Sequence, residues 1–103
     1  MLNNDKEIIE KLKGRRLIDS LYRIIRWPKK HVDKLLVLEY LSSKISNGII
    51  FTESEVNEII MKWQLFDDYA LVRREMFENG FIDRTNNCMS YWKKKNITIA
   101  STG

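Results

Sequence analysis

The chain reads as an α+β fold, mainly α, and three observations carry that reading. Apolar residues recur at helical spacing in stretches between residues 5 and 79. A helix-start signature, Thr52-Glu53-Ser54-Glu55, stands between Phe51 and Val56. Two β-favouring runs flank the turn-forming Thr85-Asn86-Asn87. A length of 103 residues suits one domain.

Residues 5–13 predict a short helix with Ile8, Ile9 and Leu12 on one side. Gly14 follows, and a helix-interior glycine costs about 1 kcal/mol relative to alanine. Residues 15–26 predict a second helical piece. Its apolar residues Leu17, Ile18, Leu21, Ile24 and Ile25 fall in an arc of about 120°. Arg15, Arg16, Arg23 and Arg26 lie roughly opposite. The apolar phase slips at Gly14, which predicts a bend or two helices. Burying each large apolar side chain contributes about 1.5–3 kcal/mol, so the arc should pack on the core or on a second copy.

Pro28 suits the first turn of a new helix, and Trp27 before it is pushed away from helical angles onto the core. A helix from about Pro28 to Lys44 follows, with Val32, Leu35, Leu36, Leu38, Leu41 and Ile45 facing inward, and Asn47-Gly48 ends the segment. Ile49-Ile50-Phe51 is a short strand. The next helix starts with Thr52 and Glu55 as a reciprocal structural cap, while Phe51 and Val56 form a hydrophobic staple. It runs to about Trp63 with Val56, Ile59, Ile60 and Trp63 inward.

Asp67 or Asp68 caps a further helix, from about Asp68 to Asn79, with Gly80 just past its end. Tyr69, Val72, Met76 and Phe77 form its buried side. Phe81 to Arg84 and Cys88 to Trp92 pair as a hairpin, with the left-handed angles of its turn assigned to asparagine. Ile97-Thr98-Ile99 can add a strand edge in an otherwise frayed tail.

Helix, short strand, helix, helix, hairpin is the order of a winged helix-turn-helix, three helices plus a β-hairpin wing. The expected organisation is an N-terminal helical extension over 1–26, a winged-helix domain over 27–93 and a flexible basic and polar tail over 94–103.

Charge is unevenly spread. Residues 1–34 carry +5, residues 35–84 carry −4 and residues 85–103 carry +3. An acidic middle between basic flanks points any polyanion contact to the flanks. The longest apolar run, Leu35 to Leu38, is too short to span a membrane, and the N-terminus lacks a signal-peptide pattern. One cysteine, Cys88, forms no internal disulfide, so a reduced cytoplasmic setting is expected. One histidine, His31, distant in sequence from Cys88, makes no zinc site, and no metal or other cofactor is expected. No nucleophile–base pair or phosphate-binding glycine loop is visible, so an enzyme is not expected.

Residues 27–92 resemble a bacterial domain family of unassigned molecular function, found alone or attached to small helix-turn-helix transcription regulators. The residues that carry the resemblance are Phe51-Thr52-Glu53-Ser54-Glu55-Val56-Asn57, Asp68-Tyr69-Ala70 with Arg73-Arg74-Glu75, Gly80-Phe81-Ile82-Asp83-Arg84 and Ser90-Tyr91-Trp92. The resemblance implies a winged-helix fold and a regulatory role, and it supplies no catalytic residues. The chain departs from the pattern in the turn, where Asn87-Cys88-Met89 replaces the usual glycine.

Two functions fit. The first is a DNA-binding transcriptional regulator that contacts duplex DNA through Arg73, Arg74, Lys93, Lys94, Lys95 and the Arg15, Arg16, Arg23, Arg26 stripe. The second is a protein-binding adaptor or inhibitor, such as one carried on a mobile element, that uses the same fold on an acidic protein partner. The acids Asp67, Asp68, Glu75 and Glu78 weigh against groove docking. Arg73, Arg74 and Arg84 also have a structural reading, as ion-pair partners of Glu53, Glu55, Glu58 or Asp68. A homodimer through the N-terminal helix is an open arrangement.

Overall fold

Helix α1 spans Leu2–Gly14 and buries Ile8 and Leu12. The structure is a computed structural model that describes residues 2–94, with side chains from residue 5. Lys95 and the expected strand edge at Ile97-Thr98-Ile99 lie outside the described residues.

The second N-terminal helix is absent. Helix α1 ends in a Schellman motif. The Leu17 N–H donates to the Leu12 carbonyl (2.9 Å) and the Arg16 N–H to the Lys13 carbonyl (3.0 Å). Arg16 sits in the left-handed region at φ 57°, the place usually taken by glycine. Leu12 and Leu17, the pair that meets in this motif, are both buried.

Residues 18–24 then fold back as a tight turn rather than a helix. The Asp19 carboxylate accepts from the Leu21 N–H (3.0 Å) and the Arg23 N–H (2.8 Å), and Tyr22 takes φ 64°. The Arg23 N–H bond, with the Arg23 side chain behind it, holds the Asp19 carboxyl below its usual range. Ile24 pairs along the chain that follows α3. Its N–H donates to the Trp63 carbonyl and its carbonyl accepts from the Leu65 N–H, both at 2.8 Å. Leu17, Ile18 and Ile24 are buried as expected, whereas Leu21 is 63% exposed and Ile25 faces solvent.

Helix α2 spans His31–Ser42 and starts three residues after Pro28. Pro28 is itself buried, so it serves the core and not a first helical turn. Trp27 packs against the core with its ring 6.2 Å from that of Phe66. Val37, Leu38, Tyr40 and Leu41 form the buried side, while Val32, expected inward, is exposed in the first turn.

The Tyr40 hydroxyl donates to the Tyr22 carbonyl at 2.6 Å, pinning the turn to α2. Burial, helped by the Asp19 charge, pushes this hydroxyl up to about 12. A folded value above the unfolded one gives stabilisation that is complete below about pH 10 and lost as pH rises through about 12. Tyr40→Phe should therefore cost about 1–3 kcal/mol at neutral pH, by orphaning a carbonyl. It should also flatten the alkaline loss of stability, which denaturation at several pH values would show.

Strand β1 (Ile50–Phe51) precedes helix α3 (Glu53–Lys62). The capping box is present: the Glu55 N–H donates to Thr52 Oγ1 (3.1 Å) and the Thr52 N–H to Glu55 Oε1 (2.9 Å). Phe51 and Val56 both pack into the core. Thr52→Ala should lower stability by about 1 kcal/mol, read as a lower denaturation midpoint at unchanged slope.

Helix α4 (Tyr69–Glu78) is capped by Asp68 and ends in a second Schellman motif, with Gly80 at φ 82°. Strands β2 (Ile82–Arg84) and β3 (Tyr91–Lys93) complete an antiparallel sheet of order β1-β3-β2. Phe51 and Arg84 both face Tyr91 in register, and these three share the face turned to the helices. Ile50, Trp92 and Asp83 share the outer face.

The expected return strand from Cys88 is shorter. Thr85 Oγ1 accepts from the N–H groups of Met89 and Ser90, which draws those residues into the turn. Cys88, not an asparagine, takes the left-handed angle, at φ 61°.

The result is an α+β fold, mainly helical, with four helices and one three-stranded sheet among the described residues. One buried cluster joins Ile8 and Leu12 of α1 to Leu38, Ile60, Met76 and Tyr91, so the N-terminal segment is part of the core and packs within its own chain.

Candidate functional site

The basic residues do not gather on one surface. Arg15 is tied to Asp33 of α2 (2.7 Å), and Arg23 to Asp19 (2.8 Å). Arg16 and Arg26 are exposed, but without a helix the four arginines form no stripe. Lys93 and Lys94 line a broad open groove with Ile49, Ile50 and Trp92, at the end of the hairpin away from its turn.

Arg73 and Arg74 belong to a different place. Val72 and Met76 anchor α4 in the core, which turns Ala70, Arg74 and Glu78 outward and sets Arg73 and Phe77 between core and solvent. Arg73 is held by α3: its guanidinium pairs with Glu53 (2.9 Å) and donates to Asn57 Oδ1. Its side chain is only 17% exposed, so it ties α3 to α4, as the structural reading of the sequence expected for one of the three arginines. Arg74 is exposed and, among the described residues, makes no ion pair.

Arg84 reaches the same region from β2. Its guanidinium lies 4.2 Å above the Phe77 ring and donates to the Thr85 carbonyl at 3.1 Å. The hairpin turn beside it is fixed by its own side chains: Thr85 Oγ1 donates to Asn87 Oδ1 (2.7 Å), which accepts from the Met89 N–H (3.0 Å). Between α4 and the hairpin lies a cleft of about 330 Å³. Arg73, Arg74 and Arg84 line it with Glu78, and Cys88 and Tyr91 form the hairpin side. Burial pushes the Tyr91 hydroxyl up against the opposing pull of Arg73, so it stays neutral.

The model of a family described as an uncharacterized protein conserved in bacteria (DUF2087) matches residues 23–93. The chain belongs to this family. The DUF2087 match begins inside the turn after α1 and runs to the end of β3, so it takes in the whole arginine cleft and leaves α1 outside. Neither the curated proteins nor the solved structures compared with the chain gave a match.

Arg84, Phe77, Cys88 and Tyr91 were not among the site residues expected from sequence. Arg84 could have been found by pairing the hairpin in register, which sets it opposite Tyr91 on the helix-facing side. Among the described residues no cluster of His, Cys, Asp and Glu fits a metal ion, and no helix is long and apolar enough to cross a membrane.

Proposed function

We infer that this DUF2087 chain is a DNA-binding regulator of winged-helix type. On this reading α4 is the helix that enters the major groove and the β2–β3 hairpin is the wing. The element order α2, β1, α3, α4, β2, β3 with strand order β1-β3-β2 supports it, because two successive helices followed by a hairpin is the order expected of that fold. The single observation that carries it is Arg74, exposed on α4 with no carboxylate bound to it among the described residues, lining the same cleft as Arg84 of the hairpin. Arginine's planar fork suits both guanine edges and phosphates.

A specific observation favours a second reading. Helix α4 and its lead-in carry Asp67, Asp68, Glu75 and Glu78, and Arg73 is already neutralised by Glu53. Such a face also suits a protein partner, as in an adaptor or inhibitor that keeps the fold without base readout.

Anisotropy of a labelled duplex across salt concentrations separates the two. Each phosphate contact adds about 0.9 to the slope of log affinity against log salt. With the DNA-facing charge confined to Arg74, Arg84 and their surroundings, a slope of about 2–4 in magnitude is expected. Absence of duplex binding at about 50 mM salt, where electrostatic binding is strengthened, would leave the protein-binding reading in its place.

A further inference from the structure

Resting on the α4–hairpin face as the functional one, we propose that the cleft between α4 and the hairpin is a seat for one phosphoryl group, gripped by Arg74 and Arg84. Its volume of about 330 Å³ lies at the small end of ligand sites, which span about 300–1,000 Å³. Three guanidiniums and one carboxylate, Glu78, line it, and Glu53 neutralises Arg73 from behind, so the cleft keeps a net positive charge.

The three arginines do not act alike. Arg73 has two of its nitrogens committed to Glu53 and Asn57, which makes it a fixed wall. Arg84 is stacked on Phe77 and spends one nitrogen on the Thr85 carbonyl, so its fork is held in place with the remaining donors free among the described residues. Arg74 comes from the outer row of α4 with all its donors free among the described residues.

Two forks on two different elements match a tetrahedral group better than a flat one. A carboxylate is satisfied by a single bidentate arginine, whereas a phosphoryl group offers oxygens to both. The chemistry is shared by a phosphodiester of the DNA backbone and a free phosphate monoester.

Cys88, the single cysteine of the chain, lines this cleft and is partly exposed, so it reports occupancy. The rate of Cys88 alkylation by iodoacetamide is measured at fixed ionic strength with phenyl phosphate, with phenol, and with a short duplex. Phenyl phosphate should slow alkylation saturably below about 20 mM, a range that covers millimolar dissociation constants, and phenol should not. Arg74→Gln should weaken protection about tenfold, as expected for loss of a charge-assisted donor. Glu78→Gln should strengthen it about threefold by removing a repelling carboxylate, and Lys94→Gln, in the other groove, should leave it unchanged.

Protection by phenyl phosphate assigns the site to free phosphate esters, and protection by duplex alone assigns it to a backbone phosphate; either supports the seat. Alkylation unaffected by both overturns it. When neither ligand protects Cys88 but anisotropy shows duplex binding, the seat is overturned while the DNA-binding reading stands. Phenyl phosphate protection without duplex binding does the reverse.

Discussion

Leu12→Ala should destabilise the protein by about 2–5 kcal/mol, the range for truncating a fully buried leucine. Leu12 is inaccessible to solvent in α1, outside the segment that the family match covers. It meets Leu17 across the motif that ends α1, so the cavity opens where helix and turn are joined. For a domain of this size with about 5–15 kcal/mol of total stability, the loss is severe. Leu21→Ala is the control. An amphipathic helix over 15–26 would bury Leu21 beside Leu17, whereas the turn leaves it in water, so its truncation should stay within about 0.5 kcal/mol. Denaturation of both variants checks the pair, and a large effect at Leu21 would favour the helix.

The second large effect concerns binding. Arg74→Glu should weaken duplex affinity by about 10–100-fold at low salt, since one well-placed arginine contact is worth about 1–3 kcal/mol and the new carboxylate adds repulsion. Its melting transition should stay unchanged because Arg74 is exposed and makes no ion pair among the described residues. Arg73→Ala should behave in the opposite way. It strips Glu53 and Asn57 of their partner and loosens α3 from α4, so stability falls first and binding falls with it. Two neighbouring arginines in one sequence motif are thus expected to separate, Arg73 as a brace between α3 and α4 and Arg74 as a contact residue.

Two helix ends show what the sequence made legible. Gly80 follows α4 and takes the left-handed angle that only glycine takes freely, so the end of α4 can be read from composition. Arg16 does the same work after α1, and nothing in the residue type announces it. The strain of a non-glycine at φ 57° is offset by burying Leu17 against the core, a tertiary effect that helical periodicity does not register. The same holds in the hairpin turn. Asparagine was the natural residue for the left-handed angle, but the side chains of Asn87 and Thr85 close the turn and Cys88 takes the angle.

The capping box of α3 was legible because its four residues are adjacent and satisfy one another locally. The arginine cleft was not, because it is assembled from α4 and from a strand whose register only the fold fixes. Periodicity placed Arg73 and Arg74 on one helix; the identity of their neighbours decided their roles.

The central claim is that the α4–hairpin face meets duplex DNA. Backbone amide shifts on titrating a short duplex into the protein at about 50 mM salt test it most directly, in the regime where phosphate contacts are strong. The largest shifts should fall at residues 70–78 and 84–91, with residues 16–26 and 47–50 little moved. Shifts confined to the groove of Lys93 and Lys94 or to the N-terminal turn, or no shifts at all, would contradict it.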